Sequence, residues 1–182
     1  MKMSCRQSRA PECDMEEYFD LYDEAGNRIG KALRRECHGN PALLHHTAHV
    51  MVFHPESGDV LLQKRSADKD IQPGKWDTAV GGHLALGEDY LAGAKRELRE
   101  ELGVTSEPEL FFLFDAQIRN EIESEDTRVF GVKLAGPFAF QKEEIDEVRF
   151  WSKAELLDEK NHLLFTPNLV VEIKRLLAEG LI

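Results

Sequence analysis

The segment from Gly81 to Val104, GGHLALGEDYLAGAKRELREELGV, constrains the fold of this chain more than any other. Between Glu88 and Leu102 it contains no proline, and its apolar residues recur at steps of three and four: Leu91, Ala94, Leu98 and Leu102. This spacing is typical of an amphipathic helix, and the following Gly103 is a typical C-terminal stop. The paired glycines before it indicate a tight backbone path that a ligand approaches closely. The segment therefore predicts a loop followed by a helix over residues 88–102.

Three glutamates gather near the end of this helix, at positions 97, 100 and 101. Residues three and four apart are neighbours on a helix surface, so Glu97 faces both Glu100 and Glu101. Each like-charged pair costs about 0.2–0.5 kcal/mol unless a cation compensates it. A charge run of this kind is commonly an ordinary solvated face. Hard divalent cations prefer carboxylate oxygens, however, and together with the preceding glycines the cluster favours a site for such a cation.

The composition limits the class of protein. At 182 residues, with 42% hydrophobic and 31% charged residues, the chain is long enough for one domain with a substantial core. We expect residues 1–14 to form a flexible tail and residues 15–182 to form the single domain. No apolar run approaches the ~20 residues of a membrane span. The N-terminal residues lack the apolar section of a secretory signal, which predicts a cytoplasmic protein without disulfides.

The net charge of −11 argues against a nucleic-acid partner, because its long-range field repels phosphates. A small phosphorylated ligand remains compatible with this charge if divalent cations lie between the carboxylates and the ligand. Charge therefore points to a metal-bridged small molecule.

The remaining patterns predict a mixed sheet flanked by helices, that is, an α/β fold. Strand-like runs surround the turn signal 24–27 and again the turn signal 55–58, which predicts two hairpins. The segment DKDIQPGKWDTAVGG is rich in turn residues. Later runs predict three strands in PELFFLFDAQI, TRVFGVKLAG and EVRFWS, a short helix in SKAELLDE, and a last helix from Pro167 to Gly180.

The segment that begins at Gly82 resembles the Nudix box, and all nine defined positions match: Gly82, Glu88, Arg96, Glu97, Leu98, Glu100, Glu101, Gly103 and Val104. The resemblance implies an α/β/α sandwich that hydrolyses the diphosphate linkage of a nucleoside diphosphate linked to a moiety X. It further implies that Glu97, Glu100 and Glu101 bind Mg²⁺ or Mn²⁺, with the Gly82 carbonyl as another ligand. Arg96 would orient a helix carboxylate, and Glu88 would support the loop.

Residues 18–150 also resemble type I isopentenyl-diphosphate isomerase, a member of the same superfamily, through His38, His45, the LLQKRS strand, the PGKW turn and Gly82-His83. By this resemblance the isomerase's metal-binding positions are His38, His45, His83, Glu101, Glu123 and Glu125. Gly81 stands where the isomerase has its catalytic cysteine, and glycine has no proton to give. The complete glutamate triplet instead favours a hydrolase. Whether the histidines bind a metal or are ordinary hydrogen-bonded side chains stays open.

Other candidate residues follow from the same resemblances. Glu144 or Glu147 would bring a further carboxylate to the metals as ligand or general base, with a solvated loop as the alternative. Arg65 and Lys69 would contact the diphosphate, or they are surface charges. A homodimer is expected by resemblance. The alternative functions are an isopentenyl-diphosphate isomerase and a non-catalytic nucleotide-binding module. The identity of X lies in loops that the sequence does not define.

Overall fold

A computed structural model of the chain describes residues 17–69 and 71–182. The predicted tail, residues 1–14, lies outside the described residues. Strands and helices follow one another as β1 (Tyr18–Tyr22), β2 (Arg28–Leu33), α1 (Arg34–Cys37), β3 (His45–Phe53), β4 (Val60–Arg65), β5 (Trp76–Thr78), β6 (Val80–His83), α2 (Tyr90–Leu102), β7 (Phe111–Arg119), β8 (Ser124–Lys133), β9 (Ile145–Trp151), α3 (Lys153–Leu157), α4 (Glu159–His162) and α5 (Pro167–Ala178).

The main sheet is mixed and is organised around β3. Its strand order is β5-β4-β3-β8-β7, with β6 paired to β3 and β9 paired to β4. The β3–β8 pair is parallel, and the other strand pairs of this sheet are antiparallel. Residues Val50 to Phe53 of β3 are all buried, which is expected of a central strand covered on both faces. The strands β1 and β2 form a separate hairpin.

Helices cover both faces of this sheet, which confirms the predicted sandwich. On one face, Met51 and Phe53 pack into a core with Leu169, Ile173 and Leu176 of α5. On the other face, Val50 and Val52 pack into a core with Ala94, Leu98 and Leu102 of α2. The alternation along β3 follows from the two-residue repeat of a strand. Truncating one of these buried leucines to alanine would cost about 2–5 kcal/mol of unfolding free energy.

The helix α2 begins at Tyr90, two residues later than predicted, because Asp89 caps it. The Asp89 side chain accepts a hydrogen bond of 2.8 Å from the backbone N–H of Ala92. The helix ends as predicted at Gly103, whose φ of 67° is left-handed. One detail of the prediction was wrong: Leu91 is 42% exposed, so the buried stripe begins one turn later.

Both predicted hairpins and the later strands and helices are confirmed. The segment predicted as turn-rich, however, contains β5 and β6, which are three and four residues long. Strands this short show no periodicity, and they are extended because they pair with β4 and β3. This pairing places Gly81 and Gly82 in the sheet, directly opposite His49 and Ala48.

No helix in the described part of the chain is both long and apolar enough to span a lipid bilayer.

Candidate active site

A polar pocket of about 580 Å³ opens where β6 meets α2. Side chains from the end of α2 line one part of it, and histidines and glutamates from β6, β8 and the segment after α1 line another. We call the first part the carboxylate end, formed by Glu97, Glu100 and Glu101 with Arg96. The second is the histidine end, formed by His38, His83 and Glu125, with the fully buried His45 behind them.

Arg96 is the organising residue of the carboxylate end. Its Nε and Nη2 donate hydrogen bonds of 2.9 and 2.8 Å to the two carboxylate oxygens of Glu88. Its Nη1 donates to Glu97 at 2.6 Å and to Glu100 at 3.1 Å, and Nη2 also reaches the carbonyl of His83 at 2.9 Å. Only a planar guanidinium presents so many donors at fixed angles. Arg96 thus joins two helix carboxylates, Glu97 and Glu100, to the loop that carries His83 and Glu88.

Glu88 supports the loop in return. Its carboxylate accepts a hydrogen bond of 2.9 Å from the backbone N–H of Ala85. The hydrogen bonds from Arg96 hold the pKa of Glu88 below its ordinary value, although partial burial opposes them. Glu88 is therefore an ionised anchor between the loop and the helix.

Position 82 requires a glycine, because the Glu97 side chain occupies the space that a Cβ would need. A Cβ placed on Gly82 would lie 2.1 Å from Cδ and Oε1 of Glu97, which is far inside contact distance. The bare glycine backbone therefore lies directly against a carboxylate. The close approach holds the Glu97 carboxylate beside the loop backbone, and carboxylate oxygens are ligands that a hard cation prefers.

Glu101 is the most deeply buried of the three helix glutamates, with 8% of its surface exposed. Its Oε2 accepts a hydrogen bond of 3.2 Å from the side-chain amide of Gln63 and a longer one, 3.4 Å, from the backbone N–H of Gly81. Burial, followed by repulsion from Glu97, raises the pKa of Glu101 to about 8. Burial also raises the pKa of Glu97, although Arg96 opposes it.

These observations fit a divalent metal. Two carboxylates, Glu97 and Glu101, are desolvated beside each other. The guanidinium of Arg96 is shared among three acidic partners, Glu88, Glu97 and Glu100. A hard cation bound between them would remove both the repulsion and the unfavourable desolvation of negative charge. Oxygen is the only donor atom that this end supplies, as Mg²⁺ and Mn²⁺ prefer.

The histidine end assembles residues that are far apart in sequence. Nε2 of His45 and Nε2 of His83 lie 3.5 and 3.4 Å from Oε1 of Glu125, and their ligand atoms lie within 4.8 Å of one another. Nε2 of His38 lies 3.3 Å from Nε2 of His83. The parallel pairing of β3 with β8 explains the arrangement, because it sets His45 beside Glu125. Glu123 also lines the pocket nearby.

The two ring nitrogens of His45 face different partners. Its Nδ1 lies 2.9 Å from the carbonyl oxygen of Leu43, so Nδ1 carries a proton, and its buried Nε2 faces Glu125 at 3.5 Å. Burial lowers the pKa of His45, but Glu125 and the Leu43 carbonyl outweigh burial and raise that pKa. Burial lowers the pKa of His38 to about 4, which leaves the imidazole of His38 neutral. The histidine end can therefore hold a metal, although its own charges are already balanced.

That balance is visible at Glu125. Burial alone would raise the pKa of this carboxylate, but the imidazoles of His45 and His83 hold it well below its ordinary value. The ring of Phe19 stacks on His83 at 4.5 Å between centroids and on His45 at 5.3 Å, so the β1–β2 hairpin closes this end.

Of the remaining predicted residues, Glu144, Arg65 and Lys69 line the pocket and Glu147 does not. Glu144 lines the pocket and pairs with Lys69, whereas Glu147 is exposed on β9 and lies outside the pocket. The position of Glu147 thus gives no support to the catalytic role predicted for it, because the register of β9 against β4 turns it away from the site. Arg65 and Lys69 both line the pocket, so they are not simple surface charges.

Sequence reasoning missed a buried network behind β6. Nδ1 of His49 lies 2.6 Å from Oε1 of Glu172, and Thr78 donates a hydrogen bond to the other oxygen of Glu172. Asp77 accepts hydrogen bonds from Thr166 at 2.8 Å and from Arg65 at 3.2 Å. His49 and Glu172 are 123 positions apart, and no spacing in the sequence signals their contact.

Comparisons with known proteins agree with this geometry. The family model described as NUDIX domain matches residues 44–169. An uncharacterised Nudix hydrolase of Yersinia pestis is 39% identical over 136 residues, covering 72% of this chain and 71% of the relative. An isopentenyl-diphosphate Delta-isomerase of Streptomyces avermitilis is 34% identical over 147 residues, covering 77% and 73%. The crystal structure of DR0079 from Deinococcus radiodurans superposes with a TM-score of 0.72 at 22% identity, covering 87% of this chain and 98% of that one.

Proposed function

This chain belongs to the Nudix hydrolase family, and from that premise we propose that it hydrolyses a nucleoside diphosphate linked to a moiety X, or a similar small diphosphate, with Mg²⁺ or Mn²⁺. Family membership makes it a hydrolase of pyrophosphate bonds. The observation that carries the finer proposal is the carboxylate end, where Glu97 and Glu101 are desolvated beside the bare backbone of Gly82.

The residues of the chain have distinct parts in this proposal. Glu97, Glu100, Glu101 and the Gly82 carbonyl would hold the metal, and Arg96 keeps Glu97 and Glu100 in place through its hydrogen bonds. When bound, the metal would neutralise charge on the diphosphate oxygens and make a water acidic enough to react near neutral pH.

Two carboxylates, the proposed metal ligand Glu101 and the nearby Glu144, bear on the proton that the attacking water loses. Glu101 has a pKa of about 8 in the absence of metal, and its hydrogen bond from Gln63 fixes the direction of its lone pairs. Glu144 faces the same pocket and is held by Lys69. A general base must lie within hydrogen-bonding reach of the water. Both residues line the pocket in which that water would lie.

The histidine end favours a second candidate, an isopentenyl-diphosphate isomerase, since the relative from Streptomyces avermitilis bears that name. Gly81 argues against it. A Cβ on Gly81 would lie 3.1 Å from the His49 ring, so the imidazole crowds the space that a side chain at position 81 would need. Incubation with isopentenyl diphosphate should therefore yield no allylic isomer, and formation of that isomer would favour this candidate over the hydrolase.

The test is a panel of nucleoside-diphosphate sugars, coenzymes and prenyl diphosphates, each incubated with Mg²⁺ or Mn²⁺ and analysed for split products by mass spectrometry. Glu101→Gln should reduce turnover at least about 100-fold, since even changes behind a ligand cost 10–100-fold. Glu56→Gln, on the exposed turn after β3, is the matched control and should leave turnover unchanged. Full activity in Glu101→Gln would contradict the proposed site.

A further inference from the structure

The positive side chains that line the pocket are all engaged with carboxylates. In the part of the chain that the structure describes, these arginine and lysine side chains are Arg34, Arg65, Lys69 and Arg96. Their respective acidic partners are Glu17, Asp77, Glu144, and the set of Glu88, Glu97 and Glu100. A diphosphate that enters this acidic pocket needs a positive contact besides the metal, and each of these side chains would have to leave or share its partner to supply one.

His49 is placed differently. It lies on β3 opposite Gly81 of β6, and it lines the same pocket as Glu101 and Gln63. Its Nδ1 is occupied by Glu172, but no hydrogen bond to its Nε2 is formed within the described residues. Nε2 lies on the side of the ring next to Gly81, 3.1 Å from the position that a Cβ on that glycine would take.

The surroundings of His49 favour its charged form. Glu172 is only 4% exposed, and its two oxygens contact His49 Nδ1 and the Thr78 hydroxyl. A buried carboxylate is stable as an ion only when it is paired, so its pairing with an imidazolium is the favourable state. Burial lowers the pKa of His49, but Glu172, with smaller contributions from Asp77 and Glu125, outweighs it and raises that pKa to about 9.

Gly81 and His49 therefore form a pair in which the missing side chain of one makes room for the ring of the other. The backbone N–H of Gly81 also points to Glu101 Oε2 at 3.4 Å, so Gly81 lies between the ring and the carboxylate end. We propose that His49 is a substrate-binding residue, which donates a hydrogen bond from Nε2 to a phosphate oxygen of the diphosphate, with Glu172 as the positioning residue behind it. This inference rests on the proposed function, because it takes the ligand to be a diphosphate.

The experiment uses imidodiphosphate, which resists hydrolysis, as the probe. Its affinity for the full chain in the presence of Mg²⁺ is measured by calorimetry for the wild type, His49→Gln and His46→Gln. The loss of a charge-assisted hydrogen bond predicts a dissociation constant that rises about 10- to 100-fold in His49→Gln. His46 is the matched control, because it lies on the same strand but stacks between Tyr22 and Tyr90, outside the pocket.

A second measurement does not depend on how the variant folds. In the wild-type protein, the ¹⁵N resonance of His49 Nε2 should shift when imidodiphosphate is added. Unchanged affinity in His49→Gln, an unmoved resonance, or no binding of imidodiphosphate by the wild type would each overturn the inference.

Failure of the inference and failure of the proposed function give different results. If the wild type splits a compound of the panel and His49→Gln binds imidodiphosphate normally, only the role of His49 is wrong. If imidodiphosphate binds in a His49-dependent manner and no panel compound is split, the binding role stands and the proposed reaction is wrong.

Discussion

The carboxylate end and the histidine end of the pocket differ in how their charges are balanced. At the carboxylate end, Glu97 and Glu101 are desolvated and their pKa values are raised. At the histidine end, Glu125 lies between two imidazoles and its pKa is lowered. The pKa of Glu125 thus shifts in the opposite direction from those of Glu97 and Glu101, because two imidazoles pair with Glu125.

This difference indicates which end depends on a cation from solution. At the histidine end Glu125 is already paired with His45 and His83, so a metal there would have to compete with existing contacts. The carboxylate end is incomplete until a divalent ion binds. Unfavourable local energy that a ligand relieves is a common property of functional sites. We therefore propose that the essential metal binds at the carboxylate end.

Among the variants that test the difference between the two ends, Arg96→Lys is expected to change turnover most. Lysine keeps the charge but loses the fork of donors that joins Glu88, Glu97 and Glu100. Turnover should fall about 10- to 100-fold, as is usual for a residue that orients metal ligands. Steady-state kinetics and Mn²⁺ affinity provide the measurement. Arg99→Lys, on the exposed side of the same helix, is the control, and equal behaviour of the two variants would contradict the role of Arg96.

A smaller effect is expected from Gly82→Ala. The added Cβ would overlap Glu97, so that carboxylate must move away from the backbone of the loop. We expect turnover to fall about tenfold and the unfolding free energy to drop by about 1–3 kcal/mol, as for other overpacked sites. Gly30→Ala has open space around it and serves as the control in thermal unfolding and kinetics. An active, stable Gly82→Ala would show that the close approach is not needed.

The smallest effect is a difference in the pH dependence of stability in the absence of metal. The pKa of Glu101 rises from 4.5 when unfolded to about 8 when folded, so the folded state binds the proton more tightly. Wild-type stability should fall relative to Glu101→Gln as pH rises from about 4.5 to 8, by at least about 1 kcal/mol. Excess Mg²⁺ should remove this difference.

The contribution of Glu125 to the pH dependence of stability should have the opposite sign. Its pKa is lowered by folding, so it contributes stability above its unfolded value of 4.5, and that stability is lost as pH falls below this value. Relative to Glu125→Gln, the wild type should therefore weaken toward acid. Urea unfolding followed from below pH 4.5 up to pH 8 measures both contributions to stability. Parallel curves of unfolding free energy against pH for all three proteins would contradict the contrast between the two ends.

The sequence predicted that the residues of the carboxylate end lie near one another, because they are close together on one helix and follow a fixed spacing. It predicted the long strands and helices for the same reason, since periodicity is a local signal. The short strand β6, which brings Gly81 and Gly82 beside His49 and Glu97, had no such signal. The His49–Glu172 contact joins β3 to α5, and only the packing of the whole sheet against that helix creates it.

The histidine end lies between these cases. Resemblance named its members, but their convergence depends on the parallel register of β3 and β8, which local patterns do not encode. Glu147 shows what the local pattern does not determine. Glu144, in the same acidic run, lines the pocket, while Glu147 lies outside it. Glu144 lies in the turn before β9, whereas Glu147 lies within that strand, opposite Lys64.

The most direct test of the account is the anomalous scattering of Mn²⁺ in crystals grown with imidodiphosphate. The account predicts a Mn²⁺ peak about 2.0–2.3 Å from carboxylate oxygens of Glu97 and Glu101, a distance typical of small divalent cations on oxygen ligands. A map with no peak there, or with manganese only at His45, His83 and Glu125, would contradict the assignment of the essential metal to the carboxylate end.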